Sequence, residues 1–547
     1  MKKNRILFVI LAAFLTASFS GCRDNFDISF PWNSDYESES DSDSEESEES
    51  DETKDSEKYS YPSVEEVKDH ADTLINDSEI PDSPDIIHED MDTLLNDLDA
   101  VSEALSYLTM DYYTDWYNER LEAKYDSCYE DYYVMYELLA YAFSNAYSSG
   151  EYNEMLEPYI DAEALEYYTQ RSLSMNRLEG YARTDYKVMD EYLDEYYDIA
   201  YDEDMDSDEK SLKAAEIYID LLSAYEADTF YDGYNRDFSP EEIMNVSKFV
   251  KNELIDAEIA MEAAFENIPH LDDVNDNPIL FDNDFEVIGK YAPKLSDDID
   301  ASAKRLLDEE LYITAGGRNS YTGSFTIDLP VQNSALIYNY KYDDAYDLLT
   351  AIHEFGHFHA SFYDDTTTYL VKNNIDIAEI QSQGMEMIFM EHYDDIFANQ
   401  AEATKMLKLY DTLDAAISGF LVGEFEYTIL KNLDTVTPEE VVECFESLME
   451  ENGYDVSIYE IDHIFSQPGY YISYGVSALA ALDIWQTSLS DTDKAIEMYE
   501  NIARVKSNSD EYQFKSALQE CGFDDVLTES YISSLGNTII DIAEKYD

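Results

Sequence analysis

From Tyr59 onward, apolar positions return every three or four residues along most of the chain, the spacing of helices that each bury one face. Several starts carry capping chemistry. Ser63-Val-Glu-Glu66, Ser239-Pro-Glu-Glu242 and Thr437-Pro-Glu-Glu440 each place a hydroxyl at the cap and a glutamate three residues on. The last two add proline at the first helical position. One region breaks this rhythm: between Tyr312 and Tyr342, Gly316, Gly317, Gly323, Pro330, β-branched residues and the apolar run "ALIY" predict two or three short strands. Helical spacing then resumes in "YDDAYDLLTAIHEFGHFHASFY", where Leu348, Leu349, Ile352 and Phe355 share a face. The predicted fold class is mainly α, with a small β-sheet beside one helix.

The N-terminus follows a different pattern. Lys2, Lys3 and Arg5 precede an apolar run from Ile6 to Leu15 and then "FSGC" ending at Cys22, the order of an export signal. The run is too short to span a bilayer. Ser20 and Gly21 before a cysteine resemble a bacterial lipoprotein cleavage site, although Phe19 stands where leucine is usual. On that reading residues 1–22 are a signal peptide and Cys22 becomes a lipidated first residue. The chain is then tethered to the outer face of the cell membrane, and a Gram-positive surface is the expected location. Residues 23–59 alternate serine with acid and hold few apolar side chains, which predicts a self-repelling stalk that does not fold.

Composition narrows the function classes. With 123 acidic residues against 33 basic ones, the formal net charge is -90, which excludes a nucleic-acid partner because phosphates would be repelled. The same field favours neutral or cationic peptides over acidic ones. Beyond Cys22 only Cys128, Cys444 and Cys521 remain, neither a disulfide framework nor a thiolate metal site. The 49 tyrosines predict helix-packing rings with wet hydroxyls.

Candidate chemistry is concentrated in "HEFGHFHA". His353 and His357 are four apart, so both imidazoles reach one zinc ion from one helix face, with Glu354 beside them to take a proton from water. A third ligand from the same helix would need glycine and histidine where Ala360 and Tyr363 stand. A later helix, "DIAEIQSQGMEMIFMEHY", instead offers Glu379, with Gln383 and Glu386 on its face, and Glu379 is the predicted third ligand. His359, two residues past His357, is turned roughly 200 degrees around the helix and is read as a packing residue or as one that supports a ligand from behind.

"HEFGH" followed by "EIQSQGME" resembles the thimet oligopeptidase and oligoendopeptidase F family of zinc peptidases (M3). The preceding "NSALIYNYKYDDAYDLLTA" and the later "DHIFSQPGYYISYGVSALAALDIW" are similar to that family's strand and C-terminal stretch. The resemblance implies a two-lobed, gluzincin-type helical fold around a deep channel, with residues 60–238 as N-terminal lobe and 239–547 as catalytic domain. It implies one Zn²⁺ per chain on His353, His357 and Glu379, with Glu386 orienting a ligand. It implies Tyr474, helped by Tyr471 or His463, as hydrogen-bond donor to the oxyanion. Ala335, Ile337 and Asn339 are expected to hold substrate backbone along an open strand edge, and Arg318 to contact substrate. Expected substrates are oligopeptides, and a monomer is expected. The competing expectation is a surface lipoprotein that captures peptides or metal without cleavage; the intact Glu354 argues against it, because capture needs no base.

Overall fold

The computed structural model describes residues 58–546 apart from 161, 170–173, 186, 203, 225–233 and 373. The export signal, Cys22 and the acidic stretch through residue 57 lie outside the described residues. The last two residues of the expected stalk, Lys58 and Tyr59, are described, and both bond the Asp111 carboxylate.

The fold is mainly helical, as the spacing predicts, with one three-stranded sheet among the described residues. The expected caps form. Ser63 and Thr437 make reciprocal capping boxes with Glu66 and Glu440. Ser239 caps its helix through Glu242 N–H, while the Glu242 carboxylate turns to the Lys515 ammonium instead. Cys128, Cys444 and Cys521 form no disulfide. Several tyrosines depart from the expectation of wet hydroxyls: Tyr338 is fully buried and donates to the carbonyls of Tyr113 and Tyr321.

The sheet consists of β1 (Tyr312–Ala315), β2 (Phe325–Leu329) and β3 (Ser334–Tyr340), in the order β1-β3-β2. β2 and β3 form an antiparallel hairpin closed by a turn at Pro330–Gln332 and by Asn333 in the left-handed region, which asparagine tolerates. β1 runs parallel to β3 on its other side. The expected open edge at Ala335, Ile337 and Asn339 is therefore overturned. β3 is the central strand, paired on both sides, and β2 is the edge strand that reaches the candidate site.

Five helices frame the site: α1 (Pro84–Thr114), α2 (Asp347–Ser361), α3 (Ile375–Phe389), α4 (Ala401–Asn432) and α5 (Ile472–Ser488). α1 buttresses the sheet, with Ser106 Oγ donating to the Asp328 carbonyl. α2 packs on β2, β3 and α3, and α3 packs on α5. Where one apolar face was expected for α2, the helix is buried nearly all round, and α3 likewise. Their polar side chains are therefore internal and need internal partners. Gln381, for instance, donates to the carbonyls of Ile502 and Val505.

Candidate metal centre and active site

Two helix-pair geometries bring the site together. On α2, the step of four places His353 and His357 above one another, their ring centroids 5.1 Å apart. α3 crosses so closely that a Cβ on Gly356 would stand 2.6 Å from the Gln381 carbonyl oxygen. This contact sets Glu379 opposite both imidazoles. Its Oε2 lies 3.6 Å from His353 Nε2 and 4.0 Å from His357 Nε2, and the three ligand atoms fall within 4.8 Å of one another. Tetrahedral zinc with bonds near 2.0–2.1 Å needs ligand atoms roughly 3.3–3.5 Å apart. Two neutral imidazoles and one carboxylate at these separations fit that ion. Burial holds His357 well below the usual imidazole range, at about 4, which leaves its lone pair available.

Each ligand is itself held. Glu386, one helical face along from Glu379, accepts from His353 Nδ1 at 2.5 Å, which leaves Nε2 to face Glu379. Burial alone would raise the Glu386 carboxyl, yet the Lys408 ammonium from α4 and the His353 hydrogen bond bring it below its ordinary value. Glu379 accepts from Ser382 Oγ at 3.0 Å on Oε2 and from the Tyr470 hydroxyl at 2.8 Å on Oε1. The loop carrying Tyr470 is pinned by Arg236, which donates to Gly469 O, to Ser473 Oγ and to both oxygens of Asp376 in the first turn of α3. That ion pair is almost wholly buried, at 2% and 0% side-chain exposure. The buried pair thus ties the loop to the helix that presents Glu379.

Glu354 faces the same cavity, a space of about 120 Å³ also lined by Thr326, Asp328, His353, His357, Glu379 and Tyr470. Its Oε2 accepts from Thr326 Oγ1 on edge strand β2 at 2.8 Å. Burial pushes its carboxyl up to about 7, where a carboxylate can both accept and return a proton near neutral pH. Thr326 and Asp328 alternate along β2, Ser324 stands just before it, and all three line the cavity. Asp328 lines the cavity from an exposed position on β2, with Asp364 also on the cavity wall.

The remaining expected residues are placed as follows. His463 is buried, with Tyr474 hydroxyl 3.4 Å from its Nε2. The rings of His463 and Tyr474 pack on Tyr470 at 5.3 and 5.2 Å, and Tyr471 packs on Tyr474. From this group it is Tyr470 that reaches the cavity wall, not Tyr471 or Tyr474. Arg318 is exposed in the turn after β1 and does not line the cavity. His359 is buried on another side of α2 with Nδ1 2.8 Å from Ser302 Oγ, and takes no part in the ligand cluster. Sequence reasoning missed Thr326, Arg236, Lys408 and Tyr470. The first three are distant in the chain with no motif around them, whereas Tyr470 stood beside the tyrosines already singled out.

The sequence matches no family model and no curated protein. Solved structures do share its fold. PZ peptidase A, solved with an inhibitor, aligns over 89% of this chain and 98% of its own at 15% identity and a TM-score of 0.67. A Bacillus anthracis strain Ames protein designated oligoendopeptidase F aligns over the same shares at 13% identity with a TM-score of 0.66. A Chlamydophila abortus protein designated a peptidase covers 85% of this chain and 92% of its own, at 14% identity and a TM-score of 0.55. At such identities the likeness is one of architecture, and the architecture of this chain is that of oligoendopeptidase F and PZ peptidase.

Proposed function

We propose that the protein is a zinc-dependent peptidase acting on oligopeptides. The observation that carries this reading is the convergence of His353, His357 and Glu379 on one point, with Glu354 of the same helix as the histidines lining the same cavity and its carboxylate accepting from Thr326 on the edge strand. The peptidase fold of its structural neighbours supports it. His353, His357 and Glu379 would hold the ion, one per chain. When bound, zinc supplies Lewis acidity that lowers the pKa of water and polarises a carbonyl.

The chain's own groups do the rest. Glu354 accepts the proton of the attacking water and returns it to the leaving amine, a role that suits a carboxyl held at about 7. Thr326 Oγ1 keeps that carboxylate aimed into the cavity. The edge strand β2, whose residues line the cavity, replaces β3 as the proposed main-chain rail for an extended substrate. Tyr470, the tyrosine of this group that lines the cavity, orients Glu379; Tyr474, whose hydroxyl lies on His463, is the proposed donor to the developing oxyanion and must turn toward the cavity to serve. The acidic wall at Asp328 and Asp364 is consistent with neutral or cationic peptides. The export signal and Cys22 extend the proposal to a lipid-anchored enzyme on the outer membrane face, acting as a monomer.

The test uses the chain from residue 58, metal analysis and quenched peptides, with Glu354→Gln as the variant. We expect bound zinc in both proteins and hydrolysis reduced by ~10²–10⁴-fold in Glu354→Gln. Zinc present with hydrolysis untouched by that substitution would sink the mechanism. A zinc-loaded wild type that cleaves no peptide would leave the capture protein as the better reading.

A further inference from the structure

The Glu386 carboxylate is held from two sides. Oε1 takes the hydrogen bond from His353 Nδ1 on α2, and Oε2 is ion-paired with the Lys408 ammonium on α4. The Lys408 side chain is 16% exposed and that of Glu386 2%. Three helices thus meet in one chain of contacts: α4 through Lys408, α3 through Glu386, α2 through His353. The next lysine back on α4, Lys405, behaves differently and reaches out to Asp394, whose side chain is 77% exposed.

We propose that Lys408 is a positioning residue for the metal cradle, fixing the Glu386 carboxylate so that His353 keeps its Nδ1 proton inward and its Nε2 toward Glu379 and His357. The inference rests on the reading that these three side chains take zinc. Its physical basis is geometric. A glutamate carboxylate turns freely about its last torsion, which is broad and twofold, so one hydrogen bond at Oε1 does not fix its plane. A second, charged contact at Oε2 does. The imidazole direction follows, because the hydrogen bond at one ring nitrogen decides where the other nitrogen points.

Charge acts in the same direction. Glu354, Glu379 and Glu386 all lie buried around the two histidines. Lys408 provides a cation on the side of Glu386 away from His353, so the pair is compensated before any metal arrives. The Lys408 side chain, 16% exposed, is partly withdrawn from water, and its ammonium is committed to the Glu386 carboxylate. Lys405, on the surface, lacks that commitment.

The experiment measures zinc affinity of the full chain by competition with a chromogenic chelator, in wild type, Lys408→Met, Lys408→Arg, Lys405→Met, Glu386→Gln and the Lys408→Met/Glu386→Gln double variant. Lys408→Met should weaken zinc binding by ~10–100-fold, the size usual for partners that orient a ligand. Lys408→Arg should recover most of it, and Lys405→Met should match wild type. In the Glu386→Gln background, Lys408→Met should add less than about twofold, since Lys408 acts through that carboxylate. Lys408→Gln replaces the methionine variant should the latter fail to fold. Affinity within twofold of wild type in Lys408→Met, or an undiminished effect in the Glu386→Gln background, overturns the assignment. A wild-type chain that takes up no zinc overturns both the assignment and the metal reading, whereas zinc uptake unchanged by Lys408→Met overturns the assignment alone.

Discussion

Replacing Gly356 with alanine tests whether the helices carrying the candidate ligands are held at one separation. Gly356 lies between Glu354 and His357 on α2, where α3 passes closest. A Cβ there would meet two backbone atoms, the Gln381 carbonyl oxygen at 2.6 Å and Ser382 Cα at 2.7 Å. Ordinary contact begins near 3.4 Å, so the helices must part by about 0.8 Å or the backbone of α2 must deform. Alanine is the better helix former by ~1 kcal/mol. Overpacking of this kind costs ~1–3 kcal/mol, so the net loss is at most ~2 kcal/mol and the chain still folds. The ligand geometry is less tolerant. Ser382 is bonded to Glu379 Oε2, so displacement of its backbone passes directly to the third ligand. A misplacement approaching 1 Å costs on the order of 10²-fold in a catalytic step. The assay pairs zinc affinity with kcat/KM on a quenched peptide and Tm by calorimetry. Both functional quantities should fall by ~10–100-fold while Tm changes little. Gly180, in the helix Met175–Asp185, is the control: a Cβ there meets nothing within 4 Å. Gly180→Ala should gain up to ~1 kcal/mol and leave zinc binding alone. Wild-type zinc affinity and hydrolysis in Gly356→Ala would refute the reasoning.

Three further outcomes are expected. Tyr470→Phe removes the 2.8 Å hydrogen bond to Glu379 Oε1 and should weaken zinc binding by ~10-fold. Tyr474→Phe should leave zinc affinity intact and lower kcat by ~10²-fold; the reverse pattern would exchange the two roles. Glu426 on α4 is buried, accepts from Gly469 N–H at 2.7 Å, and has its carboxyl pushed by burial up to about 8 from an ordinary 4.5. Because the folded value is the higher one, its contribution is complete below pH 4.5 and is lost as pH rises to about 8. Glu426→Gln should therefore gain stability relative to wild type across that interval, by a few kcal/mol at most. Melting curves of the two proteins that stay parallel from pH 5 to pH 8 would contradict the assignment.

The helical character, the caps at Ser63, Ser239 and Thr437, and the strands around 312–340 were legible in the sequence, because each depends on contacts within a few residues. So was the histidine pair, since a helical step of four is local geometry. Glu379 was legible through the face it shares with Glu386, and the structure brings it within 4.0 Å of both imidazoles. The strand order was not. Period-two alternation marks a strand without saying which neighbours it pairs with, and only the parallel return of β1 turned β3 into the central strand and β2 into the open edge.

The sequence by itself determined which side chains are proposed to hold a metal and which one is proposed to move a proton. The tertiary structure decided what holds those side chains still: Thr326 on Glu354, Tyr470 on Glu379, Lys408 on Glu386, and Arg236 on the loop that carries Tyr470. The physical reason is burial. Once α2 and α3 are enclosed on nearly every side, each polar group on them must find a partner inside the protein. Those partners come from segments 22 to 233 residues away, chosen by packing and not by spacing along the chain.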